Sequence, residues 1–480
     1  MLKGDRSFHR RWEIVLADNK TSTKKPPFHI RHFFLILVLL GFLGGFLALT
    51  VPLWKSWTCV PFLSSLIPAN STDYSESKAI ADLRLHILYI TGGVIAILTL
   101  LQTDWKNQID HRKVEDDIQK NKNDHNRQMH AERRSRYTKA VEQLSDEKAT
   151  VRLGGIYTLV GLVDEWLADD ALKPEERQKE GQTIINNLCS YVRSPFLVAE
   201  QFERYEAREE LYTLEEFESV FSSEEGSPRL QALRKYLMDS NEHKRPKDIA
   251  AGYAELREEQ DVRRAIFVEM SKRSSIVTEV SQDEVSTMSC RWSDFDFDFS
   301  RAPIFYPLNA LTIVKGNFSS AKFYGKADFR EAIFIQTANF NEAVFTNIMD
   351  FSEATFAQTA NFNEAVFINI VDFSKATFAQ TANFNEATFS VLSPEFVKTY
   401  EDSGKTVSAK FAALAKNQEA HNFTVSKGSF PIPLGEAELG DGVKHHIPVG
   451  TVLFNPSSGE TSKPAQPLEN SDAEEEKPAG

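Results

Sequence analysis

The chain has 480 residues, a formal net charge of −13, and 41% hydrophobic against 26% charged residues. That length holds two or three domains of ordinary globular composition, and the acidic balance argues against a general nucleic-acid binder, which neutralises phosphates with clustered lysine and arginine. Cys59, Cys189 and Cys290 form no CxxC pair and have no histidine at ligand spacing, so they suit neither a disulfide framework nor a zinc site; reduced thiols are expected.

Residues 1–32 form a basic segment with eight lysines and arginines. The run FFLILVLLGFLGGFLALTVPLW that follows, Phe33 to Trp54, is 22 residues without a charge. As a helix it rises about 33 Å, enough for a hydrocarbon core of roughly 30 Å. A cleaved signal peptide fits poorly, because the whole basic segment precedes the run and a second apolar run, Leu85 to Leu101, comes after it. The reading is therefore two transmembrane helices, 33–54 and 85–104, joined by an external loop 55–84 carrying Cys59. Lysine and arginine number three in that loop and nine in residues 105–136, which places both termini in the cytoplasm of a multi-pass inner (plasma) membrane protein. Gly41 and Gly45 have the GxxxG spacing that would let two first spans pair as a homodimer. Glycine is common in membrane helices generally, and that second explanation is preferred.

Residues 105–136 carry too few apolar side chains for a buried face, so a solvated helical stalk of about 48 Å is expected, its basic residues next to anionic lipid. Packing resumes over 137–290. Val151, Ile156, Leu159, Val160, Val163 and Leu167 recur at helical intervals behind a cap at Ser145 or Asp146, and Pro174 opens a helix with Ile184, Ile185, Leu188, Cys189 and Val192 inward. Glu-rich helices are expected from there to about 290. Cys189, in an apolar stripe, reads as a structural thiol.

Phenylalanine then takes over. Phe318, Phe323, Phe329, Phe334, Phe340, Phe345, Phe351, Phe356, Phe362, Phe367, Phe373, Phe378, Phe384 and Phe389 follow one another in alternating steps of five and six. Most have alanine two residues earlier, with Met349 and Val371 as variants. Two copies of a 22-residue unit, starting at Thr337 and Thr359, agree at 19 of 22 positions. On an α-helix the apolar offsets 0, 2, 5 and 7 would point roughly 0°, 200°, 140° and 340°, all the way round, so no amphipathic helix results. The step of two from alanine to phenylalanine is a strand signature, and the Asn, Asp, Ser and Thr between suit corners. Repetition makes a solenoid.

The units ADFRE, ANFNE, MDFSE and VDFSK, alternating with AIFIQ, AVFTN and ATFAQ, resemble the pentapeptide-repeat family, whose consensus is A(D/N)Lxx with Leu or Phe central. The resemblance implies a right-handed quadrilateral parallel β-helix with the phenylalanines inward, over 291–392 if DFDFDFSRAPIF (Asp294 to Phe305) begins the first coil. This chain departs from the family by one inserted residue at every second repeat, so that four sides take the full length of the copied unit, the extra residues sitting at two diagonal corners. The element RYTKAVEQLSDEKATVRLGGIYTL also resembles one that precedes such repeats in bacterial membrane proteins.

The helical domain is expected to close one end of the solenoid. A capping or irregular segment, 393–455, with the amphipathic stretch Val407 to Ala420, would close the other, and 456–480 is disordered by composition. No catalytic, cofactor or metal site emerges. GKT at Gly404 to Thr406 lacks the earlier glycine of a phosphate loop. Asp294, Asp296 and Asp298 have calcium-loop spacing, but Phe299 and Phe305 stand where glycine and glutamate should, so a strand with solvated carboxylates is preferred. His445 and His446 have no third ligand. The expected function is a membrane-anchored, non-catalytic protein presenting a rigid β-helix to a protein partner, with no cofactor and no nucleic acid. Two alternatives stand beside it: a gyrase-binding DNA mimic, as some relatives in the family are, and an enzymatic or ligand-sensing helical domain.

Overall fold

The computed structural model describes residues 31–50, 73–221, 227–238, 249–281, 284–325, 328–401, 403–414, 420–440 and 443–468. The basic segment up to residue 30, residues 51–72 with Cys59, and the stretch 469–480 lie outside them. The chain divides into two units, Met1–Arg127 and Gln128–Gly480.

The first unit holds α1 (Phe33–Thr50) and the N-terminal part of α2 (Asp73–Gln143). Each has a stretch long and apolar enough to cross a membrane. The helix α2 begins inside the expected external loop and runs unbroken through the expected second span and stalk, because no proline interrupts it. Its residues 110–125 are all exposed. Gly44 and Ala48 of α1 are buried, and a Cβ on Gly44 would lie 2.4 Å from the Thr91 side chain. Close approach of α1 to α2 therefore uses Gly44, while Gly41 and Gly45 have nothing within 4 Å of a Cβ. Most other apolar side chains of α1 point outward, Phe34 80% and Phe42 76% exposed.

The second unit starts with five helices beyond the end of α2: α3 (Ala149–Leu167), α4 (Pro174–Arg193), α5 (Leu197–Phe221), α6 (Pro228–Met238) and α7 (Ile249–Ser274). Ile156, Leu159, Val163, Ile184, Ile185, Leu188, Val262 and Ile266 form their shared core. Two expectations are corrected. The helix α3 starts behind Lys148 with no side-chain cap; Asp146 instead accepts the Lys148 N–H at 2.8 Å, turning the chain before the helix rather than capping it. The helices also stop at Ser274, where an antiparallel hairpin, Ser275–Ser281 with Glu284–Ser289, takes over. Its Ile, Val and Thr residues favour extended backbone, which the helical reading of this stretch overlooked.

The solenoid has four faces of two-residue parallel strands. One coil reads Ala338–Asn339, Val344–Phe345, Met349–Asp350, Thr355–Phe356, and the next lies upon it with Ala338 under Ala360, Val344 under Val366, Met349 under Val371 and Thr355 under Thr377, one copied unit apart each time. The four phenylalanines of a coil enter the axis from four sides, all fully buried. Each ring stacks on its copy one coil away, for example Phe340 on Phe362 at 5.0 Å and 2°, the spacing that parallel strands impose. Rings from opposite faces of a coil meet edge to face, as Phe340 and Phe351 do at 5.7 Å and 80°, so ring edges face π clouds, while Phe340 and Phe345 on adjacent faces are tilted at 49°. The alanines beside them are small because no room remains: Ala338, Ala343, Ala354 and Ala360 have no exposed surface.

The inserted residues sit in the six-residue steps, such as Phe345 to Phe351 and Phe356 to Phe362, and the five-residue steps between them turn at two diagonal corners of positive φ. Ser320, Glu342, Glu364 and Glu386 mark one corner and Glu331, Glu353 and Lys375 the other, all with φ between 55° and 61°. Each is third in a four-residue turn, such as Phe340 to Ala343 closed by the Ala343 N–H on the Phe340 carbonyl at 3.0 Å, and positive φ at that position is the condition of a type II turn. The Asn or Asp three residues earlier prepares it: Asn339, Asp350, Asn361 and Asp372 each accept the backbone N–H two residues on.

The first coil does begin in the DFDFDF stretch, but as turns and a single bridge from Asp298 to Asn317 rather than a strand, with Phe295, Phe297 and Phe299 buried. At the other end the column outlasts the expected boundary at 392: Phe396 stacks on Phe373, Phe411 on Phe378 and Phe423 on Phe384. The stretch from Val407 accordingly supplies strands, Thr406–Ser408 and Lys410–Ala412, and residues 415–419 lie outside those described. Residues 456–468, expected to be disordered, are ordered. Gln466–Pro467 pairs with Leu434–Glu438, and Ala465 is buried, a tertiary contact that composition could not reveal.

Candidate interaction surface

What a stacked solenoid offers a partner is its outer side chains, repeated at strand spacing. On the face of Asn339 the amides form two ladders: Asn317, Asn339, Asn361 and Asn383 donate down the stack at 3.0, 3.1 and 3.2 Å, and Asn341, Asn363 and Asn385 at 2.8 and 3.0 Å. An amide both donates and accepts, so it can stack on itself. Carboxylates cannot. On the opposite face Asp328, Asp350, Asp372 and Glu395 line up, and cations separate them: Arg330 reaches Asp328 at 2.8 Å and Asp350 at 3.4 Å, and Lys398 reaches Asp372 at 2.6 Å and Glu395 at 3.6 Å.

The three differences between the two long copies now have reasons. Glu353 and Lys375 sit one above the other and pair at 2.5 Å, where two identical residues would repel or go unpaired. Met349 and Val371 pack against each other inside. Thr346 and Ile368 lie at the corner that α5 and α6 cover. There Glu203 of α5 accepts the Gly325 N–H at 2.7 Å and the Thr346 hydroxyl, and Arg229 of α6 donates to the Ile368 carbonyl at 2.8 Å while gripping Glu210 with two further bonds. Burial pushes the Glu203 carboxyl above its ordinary range, and the Thr346 and Gly325 hydrogen bonds pull it part of the way back. One corner is thus occupied from within. Beside it stands the exposed Ile348 (47%), with Ile370 one coil on in the same register, and Leu392 (51%) further along the chain. The amide face is edged by exposed Glu342, Glu364 and Glu386; at its first coil Asp298, which accepts from Asn317, is held by Arg193 of α4, and beyond that the ladder asparagines bond to one another, to Glu364 and to Asn422 and to no helix among the described residues.

In the helical domain a cleft of about 410 Å³ opens between the end of α2, the end of α4 and α7. Its floor is an ion network: Arg263, 2% exposed, binds Glu259 at 2.7 Å and the carbonyls of Val192 and Ser194, while Arg152 and Tyr191 reach the same carboxylate at 3.0 Å. Each charge here already has its partner, and the arrangement ends α4 and ties it to α7. Nearby chemistry is equally quiet. Burial pushes the Cys189 thiol up to about 12, so it holds no thiolate at neutral pH. Burial likewise raises the Tyr191 and Tyr306 hydroxyls far above the phenol range.

The fragments singled out in the sequence come apart in space. Gly404 takes φ 62° in the tight turn between strands Val397–Thr399 and Thr406–Ser408, and its N–H bonds the Tyr400 carbonyl. Asp296 pairs with Lys315 and Asp298 with Arg193. His445 and His446 lie on a strand, Lys444–Pro448, with His446 3.7 Å from Glu436. Among the described residues no group of three or more His, Cys, Asp or Glu is placed to hold a metal ion. The fourteen phenylalanines of the repeat, by contrast, all meet in the column.

These features define a four-faced β-solenoid with a phenylalanine interior. A family model for pentapeptide repeats, nine copies long, matches residues 318–366 and again 340–388, and the solenoid is a pentapeptide-repeat domain. No curated protein and no solved structure matches it significantly.

Proposed function

We propose that this is a non-catalytic protein of the cytoplasmic membrane that holds its solenoid, on the cytoplasmic side, against a protein partner. The observation that carries this reading is the division of labour on the solenoid surface: one corner is fastened to α5 and α6, while beyond the first coil the asparagine ladders are hydrogen-bonded by no helix among the described residues. Such a face offers hydrogen-bond donors and acceptors on a backbone that hardly deforms, so a partner would lose little conformational freedom in docking. Two apolar helices and the excess of Lys and Arg outside the 55–84 loop support the anchoring and the side. The quiet thiol and the paired Arg263 network favour this over an enzymatic helical domain.

The test is proximity labelling in living cells from a tag after residue 468, with and without Asn361→Lys and Asn383→Lys on the amide face. Labelled cytoplasmic proteins that vanish with the lysines, at unchanged protein level, are the expected outcome. Labelling of the cell exterior, or a pattern indifferent to the substitutions, would remove the reading.

A further inference from the structure

His421 stands at the C-terminal end of the phenylalanine column, its ring 5.3 Å from Phe411 and 6.0 Å from Phe423. Both ring nitrogens are committed to backbone. Nε2 meets the Ala412 carbonyl at 3.0 Å, and Nδ1 meets the Ala382 N–H at 3.1 Å. A carbonyl only accepts and an amide N–H only donates, so the ring is the neutral tautomer with its proton on Nε2. The ring therefore bridges the last regular coil, through Ala382, to the strand Lys410–Ala412 that follows it. The next link is of the same kind: the Asn422 N–H bonds the Ala382 carbonyl at 2.9 Å, and Phe423 covers Phe384.

A second proton has only Nδ1 to go to, and there it would point at another donor. The bond to Ala382 would have to break, and the charged ring would have to leave its place against Phe411 and Phe423. The titratable groups of the packed strands do not help it stay. His445 on Lys444–Pro448 adds repulsion when charged, and Lys410 and Lys444 are cations. Glu436 on the neighbouring strand is engaged by Lys444 at 2.7 Å. Lys416 and Glu419 lie outside the described residues.

We infer that His421 is a proton-operated latch on the C-terminal cover of the solenoid, and that mild acid releases residues 420–440 and bares the phenylalanines beneath. Burial holds the ring's pKa down at about 4, against an ordinary 6.5. The sign follows: between those values the released ring takes up a proton and the latched ring does not, so the closed form is favoured above the window and lost as pH falls through it. Opening should become about tenfold more frequent per pH unit on descending from 6.5.

Hydrogen exchange of the full chain in detergent, corrected for the intrinsic rate at each pH, reads this directly. Peptides covering Ala382 and residues 420–440 should lose protection at that slope, while those covering 340–356 stay protected. His421→Gln, whose amide can accept from Ala382 and donate to Ala412 without titrating, should flatten the profile; His445→Asn should not. An equal slope in wild type and His421→Gln, or a slope abolished by His445→Asn alone, would overturn the proposal. If the glutamine variant does not fold, nitrogen-15 spectra of the wild-type imidazoles decide. The Nε2–H tautomer should persist until the cover opens, and a charged His421 with the cover still protected would refute the latch.

Discussion

At the residue scale the stability of the repeat rests on ring contacts that are the same from coil to coil. Phe362 stacks between Phe340 and Phe384, each at 5.0 Å, and meets Phe351 and Phe373 edge-on at 5.6 and 5.5 Å. Replacing it with alanine opens a cavity in a stack that cannot collapse, because the strands on all four sides fix the wall. Phe362→Ala should cost about 3–5 kcal/mol, and Phe362→Leu clearly less, measured by denaturant unfolding of the second unit. The spacing in the sequence made these rings legible, since only a strand-and-turn period places offsets 0, 2, 5 and 7 inward. What the sequence left hidden at this scale is pairing outside the column. That Glu203 meets Thr346, or that Arg229 meets the Ile368 carbonyl, depends on where two helices from a distant part of the chain come to rest. His421 was hidden for the same reason, since its partners Ala382 and Ala412 carry no distinguishing side chain.

At the scale of elements the unit of construction is the full four-sided coil: the two half coils are equal in length, but one stacks asparagine on asparagine and the other aspartate on aspartate, each strand on its copy one whole coil away. Stacking in whole coils puts amide on amide and, on the opposite face, carboxylates where Arg330 and Lys398 can separate them. A shift of half a coil would set Asn361 over a carboxylate column and turn every later strand to the opposite face. Deleting 359–380 should therefore give a shorter but folded protein, in which Ser390 takes the place of Ile368 opposite Arg229. Deleting 359–369 should lose the cooperative transition, because the register-specific contacts of every later strand go with it. Thermal melts of the two deletion proteins followed by circular dichroism separate these outcomes. The helices were legible where their apolar stripes were long, as in α3 and α4. The hairpin at 275–289 was missed because its short alternation directly follows Glu-rich helices, and the strands after 392 because their core residues, Phe396, Phe411 and Phe423, fall out of phase with the repeat.

At the scale of the whole molecule the question is what happens at the ends of a column whose interior is hydrocarbon. The solenoid cannot end in water, and the N-terminal end is met by α7: Phe267 lies 4.4 Å from Phe299 and stacks at 6.3 Å over Phe318. The same helix carries Arg263 and Glu259, which fasten α4, and it bonds the first coil directly through Gln260 on the Phe305 carbonyl, Arg264 on the Pro307 carbonyl and Ser271 on the Thr312 N–H, so the cover is held from both sides. Arg263→Met removes one of the two arginines on the buried Glu259 carboxylate and leaves Arg152 and Tyr191, so the cost should stay below the ~3–5 kcal/mol of a fully broken buried pair. Because α7 transmits that loss to the column, the solenoid should respond even though no repeat residue has changed. Hydrogen exchange in the strand Gly316–Asn317 should rise in Arg263→Met, while that in Thr377–Phe378, on the far side of the stack, stays as it was. Uniform loss along the whole solenoid would instead mean that helices and repeat unfold as one. An unchanged Gly316–Asn317 would mean that the first coil closes its own end.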